Sequence, residues 1–282
     1  VQAQPSFIEA PPPTLEDWAE RIGRMELPVL RRTLAALESL RASAHVLDAR
    51  TVAGAVSGDP LMAARVFSHL ALQRSRASAD VATVERAIVM LGIPPFFRAF
   101  GGAPTVEERL LARRGAHAGL LRVLRRARRA VRYAYELSTW RNDPGAEEIG
   151  LAALLHDLAE MLLWCHAPSL ASRVRAVQAA RRGVRSAVAQ RAVLGIALAD
   201  LQLALARRWR LPELFAAMMD EAHAANPRVR SVLLAVRLAR HSAQRWSDPA
   251  LPDDYRDIAE LLCSTPERVR EMLIAASVGG RR

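Results

Sequence analysis

No lysine occurs in the 282 residues: all 40 of the positive side chains behind the net charge of +11 are arginine. Exclusive use of arginine is the mark of a GC-rich genome and points to a bacterial source. Part of the charge is therefore base composition, which weakens its reading as a nucleic-acid footprint. Only two cysteines are present, Cys165 and Cys263. They make no disulfide framework and match no zinc-ligand spacing, as suits a protein of the reducing cytoplasm. Aromatic residues are just 5% of the chain, and the dominance of Ala, Leu, Val and Arg favours helices over strands. The longest apolar runs, such as Leu151 to Leu155, are too short to span a membrane. No basic stretch followed by an apolar one opens the chain, so no secretory signal is read there. The chain begins at Val1 rather than Met, as a segment of a longer protein would. It shows no glycine-rich phosphate loop, no internal repeat and no window with the alternation of a strand.

What is present is apolar and helical. Hydrophobic residues are 51% of the total, enough for a sizeable core built as one large domain or two packed subdomains. The first thirteen residues, with Pro5, Pro11, Pro12 and Pro13, read as an unstructured leader. A helix is expected from Thr14, which can cap a first turn holding Glu16 and Asp17. Leu27 to Leu40 reads as the next helix, with Pro28 in its first turn and Leu30, Leu34, Leu37 and Leu40 at helical spacing. Asp59-Pro60 opens another, because Asp caps and Pro is tolerated at the first position. Val84 to Leu91 is closed by Gly92, and Pro94-Pro95 starts the next turn.

Beyond Thr105, a long helix carries an apolar stripe of Leu120, Leu124, Ala127, Val131 and Ala134. Arg122, Arg125, Arg128, Arg129 and Arg132 lie largely off that stripe as a solvated basic face. Asn142-Asp143-Pro144-Gly145 signals a turn. Glu147 to Trp164 is then a mostly apolar, central helix. Further helices are expected at Pro168–Arg182, Ser186–Leu194, Leu198–Trp209, Pro212–Ala224, Val229–Trp246, Asp253–Cys263 and Pro266–Ala276. The domain reading is a leader (1–13), an N-terminal helical subdomain (14–102), a second helical subdomain (105–246) and a C-terminal helical hairpin (253–278).

The chemically informative segment is Leu151-Ala152-Ala153-Leu154-Leu155-His156-Asp157-Leu158-Ala159-Glu160. A His-Asp pair inside an apolar helix is costly unless both polar groups have partners. Its surroundings resemble the HDOD family, a branch of the HD superfamily found in bacterial signalling proteins. Leu27-Pro28 looks like the family's entry segment and Asp59-Pro60-Leu61-Met62 like its Asp-Pro-x-Leu helix start. Ala87-Ile88-Val89-Met90-Leu91-Gly92 resembles its Ala-Ile-x-x-Leu-Gly step. Leu154-Leu155-His156-Asp157 resembles its Leu-Leu-His-Asp core, and Trp209-Arg210-Leu211-Pro212 its Trp-x-Leu-Pro element. The five matches fall in the family's order, from about Leu27 to Trp246. The resemblance implies an all-α, multi-helix bundle of two packed helical subdomains.

In the wider HD superfamily such a pair binds a metal that activates water and polarises a phosphate ester. Here the resemblance also shows departures. The Gly that follows His-Asp in the family is Ala159, and the Asn after the Asp-Pro helix is Ala71. The upstream His falls at Arg126, on a face running Arg126, Ala130, Ala134, Leu137, and its neighbours Arg125 and Ala127 are not His either. The downstream Gly-x-x-His reads Gly195-Ile196-Ala197-Leu198. Of the next paired His position, Ala222-His223, one remains. A metal site needs several converging ligands, so no metal or other cofactor is expected. Of the substitutes, His117 stands two and a half turns from Arg126, while Asp200 and Asp220 remain candidates. His156 and Asp157 are then a vestigial pair, with Asp157 expected to pair with Arg126 in place of the metal's charge.

Other polar groups suggest little. Ser68-His69 and His241-Ser242 sit in no nucleophile motif and read as ordinary helix residues. Trp140, Trp164, Trp209 and Trp246 read as packing anchors. Ile258 to Val269 resembles a helix-turn-helix, with Ser264 or Thr265 as cap and Arg268 and Arg270 near the second helix's start, but any short helical hairpin looks the same. The leading expectation is a cytoplasmic, non-catalytic signal-transduction protein that acts by binding partner proteins. The resemblance places such domains in motility, stress or cyclic-dinucleotide pathways. The partner-binding face is expected at Arg122, Arg125 and Arg129, which suit an acidic partner. The rival readings are an active metal-dependent phosphohydrolase on a nucleotide or cyclic dinucleotide, and a nucleic-acid-binding regulator. Specific nucleic-acid binding and membrane association are not expected.

Overall fold

The structure, a computed structural model, describes residues 6–43, 47–73, 81–180, 185–209, 211, 216–217, 223, 225–243 and 246–279. In chain order its helices are α1 (Leu15–Arg24), α2 (Arg31–Ala42), α3 (Ala49–Val56), α4 (Pro60–Gln73), α5 (Val84–Leu91), α6 (Ile93–Phe100), α7 (Val106–Arg109), α8 (Arg114–Trp140), α9 (Ala146–Leu155), α10 (Leu158–His166), α11 (Pro168–Ala180), α12 (Ser186–Leu194), α13 (Leu198–Arg208), α14 (Pro227–His241), α15 (Leu251–Leu262) and α16 (Pro266–Gly279). The described residues contain no strand. One isolated bridge joins Val29 to Thr105. The all-helical class expected from composition is what the chain adopts.

The chain divides into two compact units, residues 1–124 with 157–212 and residues 125–156 with 213–282. In unit 1, helix starts follow local chemistry. Thr14 caps α1 in a capping box with Asp17, its hydroxyl accepting from the Asp17 N–H at 3.1 Å. The cap satisfies donors that the first helical turn leaves orphaned. Asp59 does more than cap its own helix. Its Oδ1 accepts from the N–H groups of Leu61 and Met62 at 3.0 and 3.2 Å. Its Oδ2 accepts from the Leu30 N–H at 2.8 Å and the Thr33 hydroxyl at 2.9 Å. One fully buried carboxylate thus holds the starts of both α4 and α2. Gly92 closes α5 and opens α6 at φ +80°, a conformation that costs a residue with a Cβ. Trp18 and Ile22 of α1 are fully buried, and the Trp18 indole N–H donates to the Leu194 carbonyl at 3.1 Å. Gly119 of α8 lies so close to the buried Trp164 that a Cβ there would stand 2.6 Å from the indole ring.

Unit 2 packs the later part of α8 with α9, α14, α15 and α16 around Tyr133, Leu137, Ile149, Val232, Leu238 and Ile258. The turn between α8 and α9 is the one expected. Asn142 takes φ +51°, and Asp143 accepts from the Gly145 N–H at 2.8 Å. The Asp143 carboxylate also pairs with Arg228 at 2.9 Å and Arg141 at 3.3 Å. These bonds and charges outweigh its desolvation and lower its pKa. Thr265 caps α16 by accepting from the Arg268 N–H at 3.3 Å, and Val269 and Leu273 are buried in the same core.

Several expectations are corrected. The stretch 6–13 is not an unstructured leader: Ile8 is fully buried and its N–H donates to the His166 carbonyl at 2.8 Å. Pro28 precedes its helix rather than opening it. It lies in an extended segment where Val29 donates to Pro104 and accepts from the Val106 N–H. Glu147 to Trp164 is not one helix, since α9 ends at Leu155 and α10 begins at Leu158. The helix expected to reach Trp246 ends at His241, and Trp246 is 39% exposed, so it anchors no core. Most of the helix expected over Pro212 to Ala224 lies outside the described residues. Among those described, the stretch Ala146–His166, taken across the break at His156-Asp157, is long and apolar enough by length and composition to cross a membrane, contrary to expectation, and 83% of its 18-residue apolar window is buried within the protein. The segments Ser186–Leu194 and Leu198–Arg208 meet that test only as a pair bent by 74°.

Candidate functional site

The His156-Asp157 pair occupies the break between α9 and α10. Leu154, Leu155 and Leu158 on either side are buried, whereas His156 and Asp157 are half-buried. Asp157 has φ −100°, ψ 24° and its side chain makes no capping bond; its carbonyl accepts from the Met161 N–H at 3.1 Å. The next free donor of that turn, the Ala159 N–H, is taken at 2.7 Å by the side-chain oxygen of buried Gln202, on α13. A remote amide therefore stabilises the helix start, as a local cap would.

The residues at the positions that the family resemblance assigns to metal ligands do not fit a metal. Leu198, at the place of a downstream ligand, is a buried aliphatic side chain with no donor atom. Arg126 offers only cationic donors, which cannot ligate a cation. Asp200 is exposed in the first turn of α13. His117 and Arg126 share α8, about 13.5 Å apart along its axis, and His223 is exposed. Among the described residues no group of three or more His, Cys, Asp or Glu side chains is arranged to hold a metal ion. Asp220 lies outside the described residues. His156 and Arg126 belong to unit 2, Asp157 and Leu198 to unit 1.

On α8, Arg122 and Arg125 are exposed and Arg129 is half-buried. A guanidinium N–H of Arg129 reaches the Ala239 carbonyl at 3.5 Å, at the limit of a hydrogen bond. The Arg132 guanidinium lies 5.1 Å from the centre of the Tyr133 ring. The helix carries seven arginines against one acidic residue, Glu136, so the basic face is a feature of the element rather than of scattered surface charge.

Sequence reasoning missed three polar constellations. In unit 2 the buried Asp254 accepts from Arg237 Nε at 2.7 Å and is bonded to His241 Nδ1 at 2.7 Å, while Arg237 also pairs with Asp257. Ser242, beside His241, instead donates to the Leu238 carbonyl and meets the Tyr133 hydroxyl at 2.9 Å. Ser68 donates to the Arg65 carbonyl. In unit 1 burial pushes the Cys165 thiol up to about 12, which makes it an inert core residue rather than a nucleophile. Burial, with Arg109 adding to it, pushes the neighbouring His166 imidazole down to about 3. Among the described residues, neither ring nitrogen of His166 has a hydrogen-bond partner. The third is a cleft of about 590 Å³ on the α15–α16 hairpin, lined by Pro252, Tyr255, Arg270, Glu271 and Ile274. Only its paired helices were legible in the sequence.

These features define a class: an all-helical protein with a His-Asp dipeptide at the break between two apolar helices and a buried Asp-Pro helix start earlier in the chain. The HDOD domain model matches residues 27–225, and the chain belongs to the HDOD domain family. No match was found among curated proteins. Among solved structures, it is similar to the MmoQ response regulator of Methylococcus capsulatus str. Bath, with a TM-score of 0.67 and 18% identity over 89% of this chain and 98% of that one. A virulence factor of Campylobacter jejuni subsp. jejuni gives 0.63 and 17% over 88% and 89%. An HDOD domain protein of unknown function from Geobacter sulfurreducens gives 0.52 and 17% over 94% and 95%. At such identities the likeness is one of fold.

Proposed function

We propose that this HDOD-domain protein is a non-catalytic module of signal transduction that works by binding a partner protein. The observation that carries the reading is the ligand set: His156 and Asp157 remain, but Leu198 is a buried aliphatic residue and Arg126 a cation at the positions where further ligands would be needed. Catalysis by a metal-activated water requires several ligands that hold the ion in one geometry, and two residues do not supply them. The similarity to a response regulator is in keeping with a signalling role.

Binding falls to the protein's surface, and the basic face of α8 is the docking surface of this reading. Arg122 and Arg125 offer exposed charge, and a row of like charges on one helix steers an acidic partner into encounter. The test is kinetic. With a partner chain identified by affinity capture, reversing both Arg125 and Arg129 to Glu slows association about tenfold at low salt and flattens its salt dependence. Circular dichroism stays unchanged. Association rates equal to wild type would remove the α8 face from the account.

A further inference from the structure

The N-terminal arm, residues 6–13, is the segment whose behaviour least matches its composition. It forms no helix or strand, and three of its residues are prolines, Pro11, Pro12 and Pro13, that carry no N–H. It is nevertheless held residue by residue. The Phe7 ring lies 4.5 Å from the Arg113 guanidinium and 5.3 Å from that of Arg109. Ile8 is fully buried, and its N–H donates to the His166 carbonyl at the end of α10. Glu9 pairs with Arg113 at 2.9 Å. Arg109 donates to the Ser6 carbonyl at 3.0 Å.

The two arginines that grip the arm are themselves fixed from behind. Arg109 Nε donates to the Cys165 carbonyl at 2.8 Å, and Arg113 to the Ser169 hydroxyl at 3.2 Å. The body of unit 1 therefore presents a prepared surface: two anchored guanidiniums, an apolar seat and a carbonyl acceptor. It reads three successive residues by three different chemistries: an aromatic ring by cation–π contact, an aliphatic side chain by burial, and a carboxylate by ion pairing. Main-chain bonds combined with side-chain seats are how extended peptides are recognised in general. None of these contacts requires the peptide to be covalently joined to α1.

We propose that this surface is a peptide-docking groove that the chain's own arm occupies in cis, and that its partner is an extended segment bearing an aromatic, an aliphatic and an acidic residue in succession. The charge of the groove selects for the acidic residue, and the arm acts as a tethered competitor. A short tether gives an effective concentration on the order of millimolar, so the cis arm masks the groove unless its anchors are weakened or the partner binds more tightly. This surface is separate from the α8 face, and either can fail without the other.

The test uses the full chain and a fluorescein-labelled peptide with the sequence of residues 6–13. In the Phe7→Ala/Ile8→Ala double variant the cis arm loses its anchors, and the peptide binds at least about tenfold more tightly than to wild type. A peptide with Phe7→Ala or Glu9→Arg loses that gain. Should the double variant fail to fold, Glu9→Arg in the full chain weakens the arm alone and gives a smaller gain of the same sign. Equal binding to wild type and arm variants, or binding to none of them, overturns the proposal. So does a wild-type dimer that light scattering shows to become a monomer in the arm variant, because the groove then takes the arm of a second copy.

Discussion

Lowering the pH from 7 to 5 will destabilise this protein through His166. The imidazole is fully buried, and burial with the nearby Arg109 charge brings its pKa from 6.5 to about 3. In the unfolded chain the ring takes up a proton as pH falls through about 6.5, whereas in the folded protein it stays neutral until about pH 3. The unfolded state therefore binds more protons throughout that window. The contribution is fully present above pH 6.5 and is lost progressively as pH falls toward 3. At 1.36 kcal/mol per unit, the loss is about 2 kcal/mol at pH 5 and reaches about 5 kcal/mol at the bottom of the window. Urea unfolding followed by tryptophan fluorescence, on wild type and His166→Leu at pH 7, 6 and 5, isolates the contribution of the imidazole. Asp59, whose buried carboxyl is raised and acts with the opposite sign, is common to both proteins and cancels in the difference. The variant should gain about 2 kcal/mol on wild type between pH 7 and 5. Parallel stability curves for the two proteins would refute the reasoning.

Two substitutions probe the frame of unit 1. Asp59→Ala strands the Leu30, Leu61 and Met62 N–H groups and the Thr33 hydroxyl together. Stability falls by about 3 kcal/mol or more, read by denaturant unfolding; a loss below about 1 kcal/mol would mean that water replaces the carboxylate. Gly119→Ala drives a methyl into the Trp164 indole. It costs about 1–3 kcal/mol despite the better helix propensity of Ala, and a stabilised variant in a thermal melt would contradict the close approach.

What the sequence made legible is chemistry confined to a few neighbouring residues. The caps of Thr14 with Asp17 on α1 and of Asp59 on α4, the close of α5 at Gly92 and the Asn142-Asp143 turn each rest on contacts within one turn, and each appears where it was expected. What it hid depends on distant partners. The apolar pattern from Glu147 to Trp164 runs unbroken through His156-Asp157, yet the chain breaks there and restarts on an amide 43 residues away, that of Gln202. The prolines of the arm disguise Phe7 and Ile8, whose partners lie about 100 residues further on and beyond. Pro28 precedes its helix because Val29 bridges to Thr105. The site itself was legible only by resemblance: nothing in the local pattern marks Arg126 or Leu198 as ligand positions. The break has a consequence, since the pair is half-buried rather than sealed in a core.

The central claim, that the remaining pair serves no metal chemistry, is met most directly by titrating Mn²⁺ into the purified protein by calorimetry. The same sample is then assayed against a cyclic dinucleotide and bis(p-nitrophenyl) phosphate. No stoichiometric binding and no turnover above the metal-only blank are expected, with the same result for His156→Ala and Asp157→Ala. Binding near one ion per chain that both substitutions abolish, together with metal-dependent hydrolysis, would contradict it.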